Sequence, residues 1–281
     1  MKVFIHIPKT AGTSVCSLLN DSIFFKKFCR LNPTRFTHPK DFLSGVEDQL
    51  QEVINSGRYK CVGGHFGFGA HPKLTNPQDY FVMLREPVDR VVSEYYYMFQ
   101  QGFYYKELID SEKLTLSGYL HHPETMYLNN LQTRLISGVS YDLGDQVTEE
   151  MYLLAVENLK RFAAVGLTEH FYESVGLYHI KMNWPRTPLS KFANQNNLRP
   201  AMDKIDESEL EKVREREKYD LALYREAEKI FDEELKRNRT AVDEVISSMK
   251  SLPPLYRQRL KVMKAGSKVK HELSVRVFGN K

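Results

Sequence analysis

Short apolar runs alternate with longer amphipathic stretches through the first two hundred residues. Val3-Phe4-Ile5-His6-Ile7 is the first such run, and its apolar, partly β-branched content predicts a central parallel strand. A loop over 8–12 follows, and Thr13 to Leu19 opens a helix with Val15, Leu18 and Leu19 on one side. Phe42, Val46, Leu50, Val53 and Ile54 recur at helical spacing, which predicts an amphipathic helix over 40–56. Tyr59 to Val62 reads as a short strand that ends in Gly63-Gly64-His65, and Tyr80 to Leu84 as a further buried strand that ends at Arg85. Pro87 suits the first turn of a helix reaching Gln100. Helical patterns at about 125–137 and 149–161 then lead to a strand over 163–167. Strands alternating with helices predict an α/β fold with a central parallel sheet flanked by helices on both faces.

Residues 204–240 change character. Charges dominate, yet Leu221, Tyr224, Ala227, Phe231 and Leu235 keep helical spacing, the pattern of a solvated helix with a docking stripe. Residues 241–281 hold nine Lys/Arg against three acids and contain Pro253-Pro254. We therefore divide the chain into a domain over 1–240 and a basic C-terminal tail or extension over 241–281. That tail reads first as a surface helix and tail, with docking on an acidic substrate, partner or membrane surface as the alternative.

Composition narrows the class. A chain of 281 residues with 42% apolar content has enough core for one large α/β domain and is not globally disordered. Forty basic residues against 36 acidic ones leave a net charge of +4, too small an excess to imply nucleic acid. Cys16, Cys29 and Cys61 are odd in number and lack metal-type spacing, which favours a reducing compartment. The first strand begins next to Met1, and no apolar run of membrane-spanning length follows, so a soluble, cytoplasmic protein is expected.

Candidate chemistry gathers at strand ends. In Pro8-Lys9-Thr10-Ala11-Gly12-Thr13-Ser14, backbone N–H groups near Gly12 and a helix start converge on one spot. The hydroxyls of Thr10, Thr13 and Ser14 add donors there, and Lys9 adds a charge. The segment is no Walker A loop, because its lysine precedes the glycine. Taken alone it fits an anion cradle, or an ordinary strand-to-helix turn. Arg85 stands where a kinase or NTPase would place an Asp for Mg²⁺, and Ser93 follows on the next helix. The pair suits a metal-independent phosphate contact, or a structural salt bridge and a surface serine. His65 suits a proton acceptor near neutral pH, or a structural role. His6, inside the first strand, reads as a satisfied core histidine. His121-His122 have no ligand-spaced partners, and no metal site is assigned.

In these residues the sequence resembles the carbohydrate O-sulfotransferases of the heparan sulfate type, the group of the 2-O- and 6-O-enzymes. The resemblance runs from Phe4 to Ser14, through Gly64-His65-Phe66, Met83 to Arg90 with Ser93-Glu94-Tyr95, Asn130 to Arg134 and Val165 to Glu169. It implies a P-loop-like three-layer fold that binds the sulfate donor PAPS (3′-phosphoadenosine 5′-phosphosulfate) without metal and releases PAP. It further implies that Lys9, Thr10, Ala11, Gly12, Thr13 and Ser14 cradle the 5′-phosphosulfate and that Arg85 and Ser93 hold the 3′-phosphate. His65 matches the family's general base, and Asn196 and Arg199 match a later loop over the donor. The acceptor implied is a saccharide hydroxyl. A lipid or small-molecule hydroxyl, a P-loop kinase, and a non-catalytic nucleotide- or glycan-binding module are the alternatives. The many aromatics over 95–135, Tyr95, Tyr96 and Tyr97 among them, fit an acceptor cleft or plain core.

Overall fold

The protein is described here by a computed structural model covering residues 1–22, 27–31, 46–100, 104–139, 146–184 and 199–251. Among the described residues five strands make one sheet: β1 (Lys2–Ile5), β2 (Phe28–Arg30), β3 (Cys61–Gly64), β4 (Tyr80–Leu84) and β5 (Ala164–Leu167). Their spatial order is β2-β3-β1-β4-β5, and every pairing is parallel. β1 is central, with Ile5 level with Gly64 on one side and Val82 on the other.

The helices are α1 (Gly12–Ser22), α2 (Val46–Asn55), α3 (Pro87–Gln100), α4 (Tyr104–Glu112), α5 (Leu116–His121), α6 (Leu131–Ser137), α7 (Glu149–Arg161), α8 (Phe171–Met182), α9 (Glu207–Arg216) and α10 (Lys218–Lys250). Strand alternation divides the apolar residues between two cores. Val3, Ile5, Val62 and Val82 face a core built with Leu50 of α2, Leu135 of α6, Leu159 of α7 and Phe231 of α10. Phe4, Cys61, Phe81 and Met83 face a second core built with Val15 and Leu19 of α1 and Phe171, Val175 and Tyr178 of α8. Burial on both faces is why these strands read as continuous apolar runs. The result is the expected three-layer α/β architecture.

Three elements depart from the sequence expectation. The helix expected over 40–56 spans Val46–Asn55, while 40–45, with Phe42, lie outside the described residues. The charged stretch over 204–240 is not one helix but two, α9 and α10, which meet at Glu217. α10 continues past position 240, and Val242, Val245 and Met249 are buried in the core. Glu217 and Asp220, two acids in a stretch that reads as solvated, are fully buried. Among the described residues no helix is long and apolar enough to cross a membrane.

Candidate active site

Strand order decides where chemistry can gather. β1 lies between β3 and β4, and the chain leaving the carboxyl ends of these neighbours carries Lys9, His65 and Arg85 respectively. In an open parallel sheet that edge, at the point where connections diverge to either side, forms the ligand crevice.

The segment after β1 is bent by two residues in the left-handed region, Lys9 at φ 66° and Ala11 at φ 58°. Non-glycine residues pay about 1–2 kcal/mol each for that conformation. Left-handed residues on either side of Thr10 turn successive N–H groups toward one side, the geometry of an anion-binding nest. α1 starts at Gly12, so its unpaired N–H groups and dipole point to the same place. The Thr10 hydroxyl is buried and donates to the Ile7 carbonyl at 2.9 Å, bracing the loop from beneath. Thr13 is half-buried and Ser14 buried, with the Ser14 N–H closing the first turn on the Ala11 carbonyl at 2.9 Å. Lys9 Nζ stands 3.7 Å from the centre of the Tyr97 ring. Burial pulls the Lys9 ammonium down to about 8; Glu94 opposes that, while Arg85 and Arg199 add to it.

His65 is bound back to β1. Its Nδ1 lies 2.6 Å from the His6 carbonyl oxygen, which accepts an N–H there. That bond puts the proton on Nδ1 and makes Nε2 the basic nitrogen. Burial pulls the imidazole down to about 4, against the His6 hydrogen bond and with help from the Arg30 charge. The group is therefore neutral across physiological pH. Gly63 and Gly64 have no positive φ; they are there for close packing, since a Cβ on Gly64 would meet the Phe66 ring at 3.0 Å. His6 is buried as expected, but its Nδ1 has no hydrogen-bond partner among the described residues.

Arg85 is held on three sides. Its guanidinium donates to the Lys9 carbonyl at 2.9 Å and to Asp89 at 2.6 Å, which ties the end of β4 to the loop after β1. Asp89 also pairs with Arg199, so one carboxylate bridges two cations. Burial works against that charge, but the Arg199 and Arg85 guanidiniums outweigh it and hold the Asp89 carboxyl below its usual range. Asp89, Ser93 and Tyr97 recur at one-turn spacing on α3, so buried Ser93 lies on the face whose neighbours touch Arg85, Arg199 and Lys9. The Glu86 carboxylate accepts from the Val88 and Asp89 N–H groups and caps that helix start. Of the remaining expected residues, Asn196 lies outside the described residues. Tyr95 belongs to the scaffold, its hydroxyl donating to the Leu114 carbonyl at 2.8 Å. His121 and His122 are engaged locally, with the Ser117 carbonyl and Glu112 respectively.

Sequence reasoning assigned no role to the layer behind the site. Gln132 is fully buried and reads the Arg85 backbone twice, accepting from its N–H and donating to its carbonyl, each at 3.0 Å. Asp220 accepts from the Gln132 and Thr133 N–H groups, capping α6. Asn130 in turn accepts from the Tyr219 and Asp220 N–H groups, capping α10. Arg90, fully buried, pairs with Glu94 at 2.6 Å and Glu217 at 3.5 Å. The available signal was polar Asn129-Asn130 and Gln132-Thr133-Arg134 wedged between Leu128, Leu131 and Leu135, a density of polar groups that a core-facing helix carries only when each has a partner.

A family model described as the sulfotransferase family matches residues 3–261. The chain belongs to the sulfotransferase family. A comparison with curated proteins finds no match. The match takes in β1 from Val3 onward and the other four strands, so in this sulfotransferase Lys9, His65 and Arg85 all lie within the matched residues.

Proposed function

We propose that this sulfotransferase moves the sulfuryl group of PAPS to an acceptor hydroxyl, with a saccharide as the acceptor class. The observation that carries the reading is the convergence of a cationic nest, a guanidinium and a neutral histidine from the ends of β1, β4 and β3. The residues fit a donor that is anionic at both ends. Lys9, the N–H groups from Thr10 to Ser14 and the start of α1 suit the 5′-phosphosulfate, while Arg85 and Ser93 suit the 3′-phosphate; Arg199, paired with Asp89, and by resemblance Asn196 belong to a loop over the donor's phosphates. In the transfer His65 Nε2 takes the acceptor's hydroxyl proton as that oxygen bonds to sulfur. The bond between sulfur and the bridging oxygen breaks, its electrons stay on the 5′-phosphate of PAP, and Lys9 stabilises the charge growing there. The saccharide assignment rests on the resemblance to heparan-sulfate-type enzymes. Tyr97, packed on Lys9, would stand beside the transferred group.

Replacing His65 tests the reading. His65→Ala should bind PAP as the unmutated protein does in calorimetry, yet transfer ³⁵S from labelled PAPS to a panel of oligosaccharides about 10²–10⁴-fold more slowly, the usual cost of losing a general base. Turnover at the unmutated rate would remove His65 from the mechanism. Transfer to lipid or small phenolic hydroxyls with none to sugars would overturn the acceptor class while leaving the donor intact.

A further inference from the structure

His6 is buried, and core packing alone does not account for a histidine there. Its Nδ1 lies in the interior without a hydrogen-bond partner among the described residues, a loss that a purely apolar side chain of similar size would avoid. Its surroundings tie it to both halves of the site. The imidazole stacks on the His65 ring with centroids 4.1 Å apart and planes 27° from parallel, and its other neighbour in the stack is Phe4 at 5.7 Å. Its edge lies directly on Gly12: a Cβ added to that glycine would stand 1.9 Å from His6 Cδ2 and 2.2 Å from Nε2. The backbone closes the same link twice, with the His6 N–H donating to the Gly64 carbonyl at 2.9 Å and the His6 carbonyl accepting from His65.

We propose that His6 is a positioning residue, a neutral five-membered plate wedged between Gly12 of the anion loop and the ring of His65, that sets the base relative to the donor. The inference rests on His65 acting as the base. It explains Gly12 in a way the anion nest does not, because Gly12 has no positive φ and is needed for the room it leaves to His6. It also explains why the plate must be uncharged. Burial first, then the neighbouring His65 and Arg30, hold the His6 imidazole well below its ordinary range. A proton on His6 would repel the imidazolium that His65 becomes during transfer. The charged group that faces the stack from the neighbouring strand is Arg30, at the end of β2.

The test is a double-mutant cycle with His6→Ala, His65→Ala and the pair, each read by PAP calorimetry, by kcat and by the pH profile of kcat/KM, which reports the free enzyme. His6→Ala should keep PAP affinity within about 3-fold, lower kcat at least about 10-fold and move the acid limb from near pH 4 toward the ordinary histidine value of about 6.5. In the His65→Ala background the same change should cost nothing further. An unshifted acid limb and unchanged kcat in His6→Ala, with His65→Ala inactive, would overturn the role of His6 alone. Full turnover by His65→Ala would instead overturn the base, whatever His6 does. A measurement on the unmutated protein stands beside these: histidine-selective NMR should show the His6 ring signals shifting as His65 titrates. A His6 ring indifferent to that titration would overturn the stack as the coupling element even if His6→Ala fails to fold.

Discussion

At the scale of single residues, the site is set by two groups that burial moves in the same direction with opposite consequences. In the proposed transfer His65 is to be neutral to take a proton and Lys9 charged to hold an anion; burial, pulling His65 to about 4, keeps it neutral at every pH above that. Burial pulls Lys9 to about 8 and narrows its charged range from the alkaline side. Since kcat/KM reports the free enzyme, it should rise as pH passes up through about 4, stay level, and fall above about 8. Steady-state rates from pH 3.5 to 9.5 at fixed ionic strength check this, and an acid limb at the ordinary histidine value would mean that His65 is not in the buried state described. The alkaline limb should be absent from PAP dissociation constants in Lys9→Arg, because a guanidinium keeps its proton throughout. Residue identity at Lys9 and His65 was legible in the sequence because both follow apolar strands directly. The altered acid–base behaviour was not, since it comes first from burial by the surrounding fold, then from Glu94, Arg85 and Arg199 at Lys9 and from the His6 hydrogen bond and Arg30 at His65.

At the scale of elements, α6 and α10 are joined by exchanged caps: Asp220 at the start of α10 caps α6, and Asn130 at the start of α6 caps α10. Each satisfies N–H groups that a helix start otherwise leaves open. Arg90 of α3 completes the arrangement by sitting among Glu94, Glu217 and Asp220, with burial opposing its charge and those carboxylates outweighing the penalty. Glu217, beside Asp220 in the same interior, is pushed up by burial and by that neighbour. Removing Arg90 would take from Glu217 and Asp220 the counter-charge it supplies in the interior. Arg90→Met should therefore destabilise the fold by about 3–5 kcal/mol, the cost of breaking a buried pair from one side. Urea unfolding of the variant checks it, and a loss below about 1 kcal/mol would mean that the cluster is solvated in practice. The break between α9 and α10 is the part of this region that periodicity could not reveal. A helical repeat predicts a docking stripe from Tyr224, Ala227 and Phe231, all buried, but it treats Glu217 and Asp220 as solvent-facing because their partners lie some ninety positions earlier.

For the molecule as a whole, the sheet was legible and its margins were not. β1 and β4 are buried on both faces, so apolar run length alone marks them; β2 is a short edge strand, and Phe28-Cys29-Arg30 offers no run to read. The same contrast governs α8, whose apolar residues surround it because it is pressed between β5 and α10, leaving no clean stripe. The C-terminal margin shows the consequence most sharply. A shift to basic composition near position 241 suggests that the domain ends there, yet α10 runs on to Lys250, and Val242 packs against Gly176 of α8 so closely that a Cβ on that glycine would meet it at 2.9 Å. Met249 and Val245 then fill the core that holds Val15, Phe171 and Phe81. Composition changes where the exposed face of a helix changes, and it does not register a buried face that continues. A chain ending at Ser251 should keep the cooperative melt of the full protein, whereas one ending at Thr240 lacks the three buried side chains Val242, Val245 and Met249, each contributing roughly 1.5–3 kcal/mol. Differential scanning calorimetry of the two truncations separates the cases. A chain ending at Thr240 that melts within a degree of the longer one would mean that the last turns of α10 are dispensable, and that the fold closes where the composition changes.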